Sequence, residues 1–195
     1  MRIVGGKWRG AAVEAPKGRD VTRPTTDRMR ESVASMILSA EGLDLSGKGV
    51  LDAFAGSGAM GLELVSRGAA RCTLVDSDKN AVARMRRTVS ALGSSRPECE
   101  VIAGDVFRLA ERGTIPGAPF AVVFLDPPYA TDATLVSGLV DGLWERGLLA
   151  PEALVVYERS GKAPTLSCAH AISLRSRSHG ITSVDLLRAE AVHEQ

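Results

Sequence analysis

The 195 residues, 45% hydrophobic with a net charge of +1, suffice for one buried core and a small appendage. No stretch approaches the roughly eighteen consecutive apolar residues of a membrane span, and the opening "MRIVGGKWRG" lacks the apolar centre of a signal peptide, so a soluble, cytoplasmic protein is expected. Cys72, Cys99 and Cys168 are scattered without metal-ligand spacing, and His170, His179 and His193 form no triad pattern, which sets aside a disulfide framework, a zinc site and triad chemistry.

The small net charge hides an asymmetry. Residues 1–30 hold eight basic and three acidic residues. A basic arm on a mildly acidic body fits a polyanion partner, although a solvated surface segment would look the same. In "GGKWRG", Trp8 lies between Lys7 and Arg9, a combination that suits base stacking with phosphate contact. Arg2, Lys7, Trp8, Arg9, Arg23 and Arg28 are therefore the candidate contacts to such a polyanion.

In chain order, "RIVGGKWRGAAVEAP" reads as two extended pieces around glycines, a β-hairpin arm over residues 1–24 that runs into the loop "PKGRDVTRP". Met29, Val33, Met36, Ile37 and Ala40 then recur at helical spacing, predicting an amphipathic helix over 26–40 capped by Thr25 or Thr26. From residue 49 onward, short apolar strands alternate with helical segments. Strands are expected at "GVLDA", "RCTLVD", "CEVIAG", "FAVVFLD" and "ALVVYE", and helices at 58–67, 78–92, 105–112 and 132–146. Apolar strands separated by helices imply an α/β fold, a parallel sheet covered on both faces. The tail "AISLRSRSHGITSVDLLRAE" reads as a C-terminal antiparallel hairpin. The main domain is expected to run over 25–195, as a monomer.

The loop "VLDAFAGSGAMGLELVSRG" falls where the first strand turns into its helix. Gly56, Gly58 and Gly61 match G-x-G-x-x-G, which lets a ligand approach the backbone at a helix N-terminus, and Asp76 ends the next strand, where a carboxylate suits ribose hydroxyls. A dinucleotide and S-adenosylmethionine share these features. Asp52 separates them: it would repel a pyrophosphate, but suits the ammonium of a methionine moiety. A plain strand-to-helix turn leaves this combination unexplained. Asp105, after the third strand, suits the exocyclic amine of adenine, with Val106 packing on the ring; a helix N-cap is compatible with the same position.

"FLDPPYA" brings Asp126 out at the same strand edge. Pro127 and Pro128 fix φ and donate no hydrogen bond, leaving stiff carbonyls, and Tyr129 offers a flat face for a base taken out of its stack. This group suits methylation of an exocyclic amine. With Asp126 and the Pro127 carbonyl accepting its two protons, the amine lone pair localises and can be aimed at a sulfonium methyl.

In this order, "LDAFAGSGAMGLE", "VDSD", "GDVF" and "FLDPPY" resemble the class I S-adenosylmethionine-dependent amino-methyltransferases. "RIVGGKWRG" followed by "RPTTDRMRES" narrows the resemblance, over nearly the whole chain, to the bacterial enzymes that modify the N2 amine of a guanine in 16S ribosomal RNA. The resemblance implies a doubly wound, Rossmann-like class I methyltransferase sheet, S-adenosylmethionine as cofactor, and 16S rRNA in the assembled or assembling small subunit as partner. It places cofactor residues at Asp52, Phe54, Ala55, Gly56, Ser57, Gly58, Asp76, Ser77, Gly104, Asp105 and Val106, and catalytic residues at Asp126, Pro127, Pro128 and Tyr129; no metal is implied. Where the family usually carries an asparagine on the helix after "VDSD", this chain has Arg86, Arg87 and Thr88, read as an exposed helical face or as cations for RNA.

The nearest alternative is a DNA adenine-N6 or cytosine-N4 methyltransferase, since aspartate serves adenine enzymes in the same motif. Cytosine-C5 chemistry needs a cysteine nucleophile where this chain has a second proline. A nicotinamide oxidoreductase leaves Asp52 and "DPPY" without a role, and a non-catalytic RNA-binding module would use the arm alone.

Overall fold

The computed structural model describes residues 1–15 and 24–191. Arg23 and the loop before it lie outside the described residues. Seven strands form one sheet: β1 (Gly49–Asp52), β2 (Arg71–Asp76), β3 (Cys99–Ala103), β4 (Phe120–Leu125), β5 (Leu149–Ser160), β6 (Ala171–His179) and β7 (Thr182–Ala189), in the order β3-β2-β1-β4-β5-β7-β6. β1 to β5 are parallel; β7 runs antiparallel to β5, and β6 to β7. The five helices are α1 (Pro24–Ala40), α2 (Ala59–Ser66), α3 (Lys79–Ala91), α4 (Val106–Glu111) and α5 (Ala133–Glu145). The expected alternation holds, with element ends shifted by one or two residues, and β5 begins four residues before "ALVVYE". α1 begins at Pro24, a residue suited to a helix start, so Thr25 and Thr26 lie inside the first turn and do not precede it.

Alternate residues of each strand feed opposite cores, as the period of two requires. Val50, Val122, Phe124 and Val156 pack with Val33 and Ile37 of α1, Leu62 and Leu64 of α2, and Met85 of α3. Leu51, Val123, Leu125 and Val155 pack with Val106 of α4 and with Val136, Leu139 and Leu143 of α5. The strand order reverses direction between β1 and β4, the place where open α/β sheets leave a crevice at their carboxyl edge.

The N-terminal segment follows a hairpin path but forms a single antiparallel bridge, Arg2 with Ala12, around a 3-10 turn at Gly6–Trp8. The Ile3 N–H to Ala11, Gly10 N–H to Ile3 and Val13 N–H to Met1 backbone bonds join its two pieces, and the segment packs on α2. Ile3 and Val13 are buried in the core, and the Val4 and Gly5 N–H groups donate to the two carboxylate oxygens of Glu63 at 2.8 Å each. Glu63 is fully buried and also meets Arg67 at 2.7 Å and Arg30 at 3.7 Å. Gly6 at φ +75° lies so close to α2 that a Cβ would sit 1.7 Å from the Ser66 carbonyl oxygen. The expected tail hairpin is present, but it adds two strands: β7 completes β5, and β6 becomes the outer edge.

Candidate active site

Two cavities open at the carboxyl edge and share a wall of Phe54, Asp126 and Tyr129. The second, of roughly 570 Å³, is lined by Gly56, Asp76, Ser77, Gly104, Asp105, Val106, Phe107, Pro127 and Pro128. The first, of roughly 600 Å³, takes in Asp52, Ala55, Ser57, Met60 and Phe124, with Arg28 and Arg30 of α1 and Glu158 of β5.

The glycine loop is built by its backbone. Ala53 N–H donates to the Phe124 carbonyl and Ala55 N–H to the Val75 carbonyl, so the loop is pinned to β4 and β2 as it leaves β1. Gly56 (φ +55°) faces open space where a ligand can approach, and its N–H donates to Asp76 Oδ2 at 2.7 Å. Gly58 (φ +76°) lines neither cavity; it starts α2 against Leu74 and Met85. Gly61 answers a different demand from ligand approach: a Cβ there would lie 2.5 Å from Cys72 Sγ and Leu74 Cδ2, so glycine lets α2 sit directly on β2.

Asp76 Oδ1 also accepts from the Asp78 N–H at 2.8 Å, which fixes the carboxylate toward the second cavity. Asp105 caps α4 through the Phe107 N–H at 2.9 Å while its residue lines that cavity, so the capping and cofactor readings of this position coexist geometrically. Val106 is buried beneath, and Phe107 meets Phe54 with ring centres 5.8 Å apart. The cavity thus offers, in sequence, an apolar slot with an acidic edge, a carboxylate at Asp76 and a backbone turn at Gly56. Those are the groups an adenosine needs.

Asp52 lies apart from them. It is 1% exposed, takes the Gly61 N–H at 3.0 Å, and turns to the first cavity. Burial pushes its carboxyl up to about 7, against the Gly61 hydrogen bond, with the Asp126 and Asp76 charges adding to the rise. An acid held in this way is a strong site for a cation, because a positive ligand restores its ionised form. The cleft therefore fits S-adenosylmethionine: the second cavity would take the adenosine and Asp52 the ammonium of the methionine end. When bound, this group would supply an electrophilic methyl.

Asp126 stands on that wall. Its residue is exposed to the cavity as it leaves β4 one position past Leu125, while the protein packed around the carboxyl pushes it up to about 6 by desolvation. Pro127 is buried; the Pro128 carbonyl takes the Thr131 N–H at 2.8 Å, while among the described residues nothing donates to the Pro127 carbonyl. Tyr129 is 79% exposed at the mouth of both cavities.

Glu158 was not visible in the sequence. The register pairs Leu125 with Tyr157, so the next residues, Asp126 and Glu158, emerge side by side on neighbouring parallel strands. Burial, and then the Asp126 charge, push Glu158 up to about 7. An acid ending the apolar run "ALVVYE" was the available signal. Phe107 and the hairpin tip from His179 to Thr182, which also line the cavities, carried none.

Of the arm residues, Arg28 lines the first cavity, whereas Lys7, Trp8 and Arg9 lie at the other end of the sheet. α2 runs back from the carboxyl edge, and the Trp8 N–H donates to Ser66 at its far end, at 2.9 Å. Lys7 pairs with Glu98, just before β3, and sits 4.4 Å over the Trp8 ring. Arg2 is exposed, with its carbonyl bonded to Arg30. Arg87 is occupied by Glu14, both of whose oxygens it meets at 2.6 and 2.8 Å. Among the described residues no cluster of His, Cys, Asp and Glu is placed to hold a metal ion, and no helix is long and apolar enough to cross a membrane.

The doubly wound sheet, the glycine turn and the acids at successive strand ends define a class I S-adenosylmethionine-dependent methyltransferase. The chain belongs to the family described as Conserved hypothetical protein 95, whose model matches residues 1–188. It is 36% identical over 162 residues to ribosomal RNA small subunit methyltransferase D of Escherichia coli, covering 81% of this chain and 74% of that protein. It is 30% identical over 187 residues to the protein of the same name from Haemophilus influenzae, covering 95% and 92%. The solved structure of Escherichia coli yhhF, assigned as a methyltransferase, superposes with a TM-score of 0.80 at 32% identity, covering 98% of each chain.

Proposed function

We propose that the protein transfers a methyl group from S-adenosylmethionine to the exocyclic N2 amine of a guanine in 16S ribosomal RNA of the small subunit. The observation that carries this reading is Asp126 on the wall between the two cavities, with Glu158 beside it in the one that faces away from the adenosine groups. The relatives named ribosomal RNA small subunit methyltransferase D support an RNA substrate.

The target base enters the first cavity, with Tyr129 as its stacking face. Asp126 and the Pro127 carbonyl accept the two N2 protons, which withdraws the amine lone pair from conjugation with the ring and points it at the sulfonium methyl. The nitrogen–methyl bond forms as the sulfur–methyl bond breaks, and the sulfur leaves with the electron pair. The product amine then gives one proton to Asp126, which passes it to water. Glu158 accepts from guanine N1–H; adenine and its analogues present a lone pair at N1 and meet a carboxylate there. Positioning and electrostatics do this work without a covalent intermediate. Asp52 holds the methionine ammonium, Asp76 the ribose, and Asp105 with Val106 the adenine. Residues 1–24 act as an RNA-contacting arm through Arg2, Lys7, Trp8, Arg9 and Arg23, Arg28 of α1 adds an RNA contact at the first cavity, and the protein works as a monomer in the cytoplasm.

The test is to incubate enzyme and methyl donor separately with 16S rRNA, small subunits and duplex DNA, and to map the product by nucleoside mass spectrometry. N2-methylguanosine in rRNA supports the proposal. Label in DNA alone overturns it in favour of a DNA amino-methyltransferase.

A further inference from the structure

The tip of the C-terminal hairpin turns back to the site. β5 pairs with β7 so that Ser160 faces Thr182, which brings the turn from His179 to Thr182 to the carboxyl edge, where all four residues line the first cavity. Ile181 is 76% exposed there, as open as Tyr129 at the same cavity. His179 carries a buried Nε2 atom without a hydrogen-bond partner among the described residues.

The registers also fix which way the edge strand points its cations. Glu158, Val184 and Arg177 form one lateral row across β5, β7 and β6, and Val156, Leu186 and Arg175 form the next. Paired residues share a sheet face, and Val184, Leu186 and Val156 belong to the core on the α1 side. Arg175 and Arg177 are therefore on the face where the first cavity opens, with Arg177 two strands, about 10 Å, from Glu158. The opposite parity is accounted for by Ser176, which donates to Asp185, and by Ser178, which meets Ser183. Both arginines are exposed, and no described residue supplies either with a carboxylate.

We infer that the outer face of the C-terminal hairpin is the track for the single-stranded RNA flanking the target base. Arg175 and Arg177 hold phosphates, and Ile181 occupies the gap beside the extruded base. This deepens the proposed function and rests on it for the identity of the base. Charge selects the occupant: unpaired cations lead to a cavity whose own acids would repel an acidic peptide, whereas a nucleic acid strand brings phosphates to the arginines and one neutral base to the carboxyls. The well-paired Lys7 at the far end of the sheet has no such route to the cavity.

The test is filter binding of radiolabelled small ribosomal subunits, undermethylated at guanine N2, across a salt series, with methyl transfer measured in parallel. Arg175→Ala/Arg177→Ala is expected to raise Kd and KM roughly tenfold and to lower the slope of log K against log salt by about 1.4 to 1.8, at 0.7 to 0.9 per lost contact. kcat at saturation and thermal midpoint should stay as in the unaltered protein, and Lys7→Ala/Arg9→Ala should change binding less. Unaltered affinity and slope in the hairpin variant, while the starting protein still binds and methylates, would overturn the track and leave the arginines as edge-strand guards. Salt-dependent loss of binding in the variant, with no transfer to guanine by the starting protein, would keep the track and sink the proposed function. Absence of subunit binding by the starting protein overturns both.

Discussion

Asp126 and Glu158 are lateral neighbours, each one residue beyond the last register pair of β4 and β5, and their carboxyls share one cavity. Among the described residues neither is ion-paired with an arginine, and desolvation holds both carboxyls above the usual range, at about 6 and about 7. This gives the site an acceptor and a second carboxyl of different duty on adjacent strands.

Asp126→Asn keeps the shape of the wall and one acceptor oxygen but loses the charge that strengthens the acceptor and the base that takes the amine proton. Methyl transfer from labelled donor is expected to fall roughly 10²–10³-fold. Cofactor affinity by calorimetry should stay within a few-fold, since asparagine is isosteric on the shared wall and Gly56, Asp76 and Asp105 are unaltered. Unchanged turnover would remove Asp126 from its role.

Glu158→Gln tests the reading of the purine N1 position. Small subunits reconstituted with 2,6-diaminopurine in place of the target guanine retain the 2-amine but carry a lone pair at N1. The unaltered enzyme should discriminate against this analogue by about 1–3 kcal/mol. The glutamine amide can donate to that lone pair, so the preference should shrink or invert. Equal discrimination by both enzymes would assign specificity elsewhere.

Asp52 gives the protein a pH dependence. In the fold its carboxyl keeps its proton to about 7, whereas the unfolded chain loses it near 3.8. Between those values the native state binds more protons, so stability of the ligand-free protein falls as pH rises, by up to about 1.4 kcal/mol per pH unit for this group. Asp52→Asn should flatten that part of the slope in chemical denaturation. S-adenosylmethionine affinity should rise from pH 5.5 to 7.5 in the unaltered protein and lose that dependence in the variant.

Gly61→Ala places a methyl group 2.5 Å from Cys72 Sγ and Leu74 Cδ2. α2 must lift from β2, a cost of about 1–3 kcal/mol in unfolding free energy. Because α2 carries the glycine turn, cofactor binding should weaken with it.

Glu63→Gln leaves Arg30 and Arg67 beside a neutral, fully buried side chain that offers only one oxygen to the Val4 and Gly5 N–H groups. Loss of a buried charge partner costs about 3–5 kcal/mol. Limited proteolysis should then cut the N-terminal segment before the body. Simultaneous cleavage of both would show that Glu63 supports the whole fold and not this attachment.

The periodicity of the sequence determined the alternation of strand and helix, because a strand buried on both faces must be apolar throughout and its covering helix must carry a stripe at 3.6 residues. The motifs also determined which acids end successive strands, from Asp52 to Asp126, and so the chemistry of the carboxyl edge. Local patterns stop at the strand end, however. Only the register between β4 and β5 puts Glu158 beside Asp126, and only the antiparallel return of β7 carries Ile181 and Arg177, some fifty residues on, to the same edge. The basic segment shows the reverse. Its composition reads as a free arm, but the buried Glu63 and the close seat of Gly6 on α2 tie it to the body and turn Lys7 and Trp8 to the far end of the sheet. Charge counts carry no direction; the packing of one element on another supplies it.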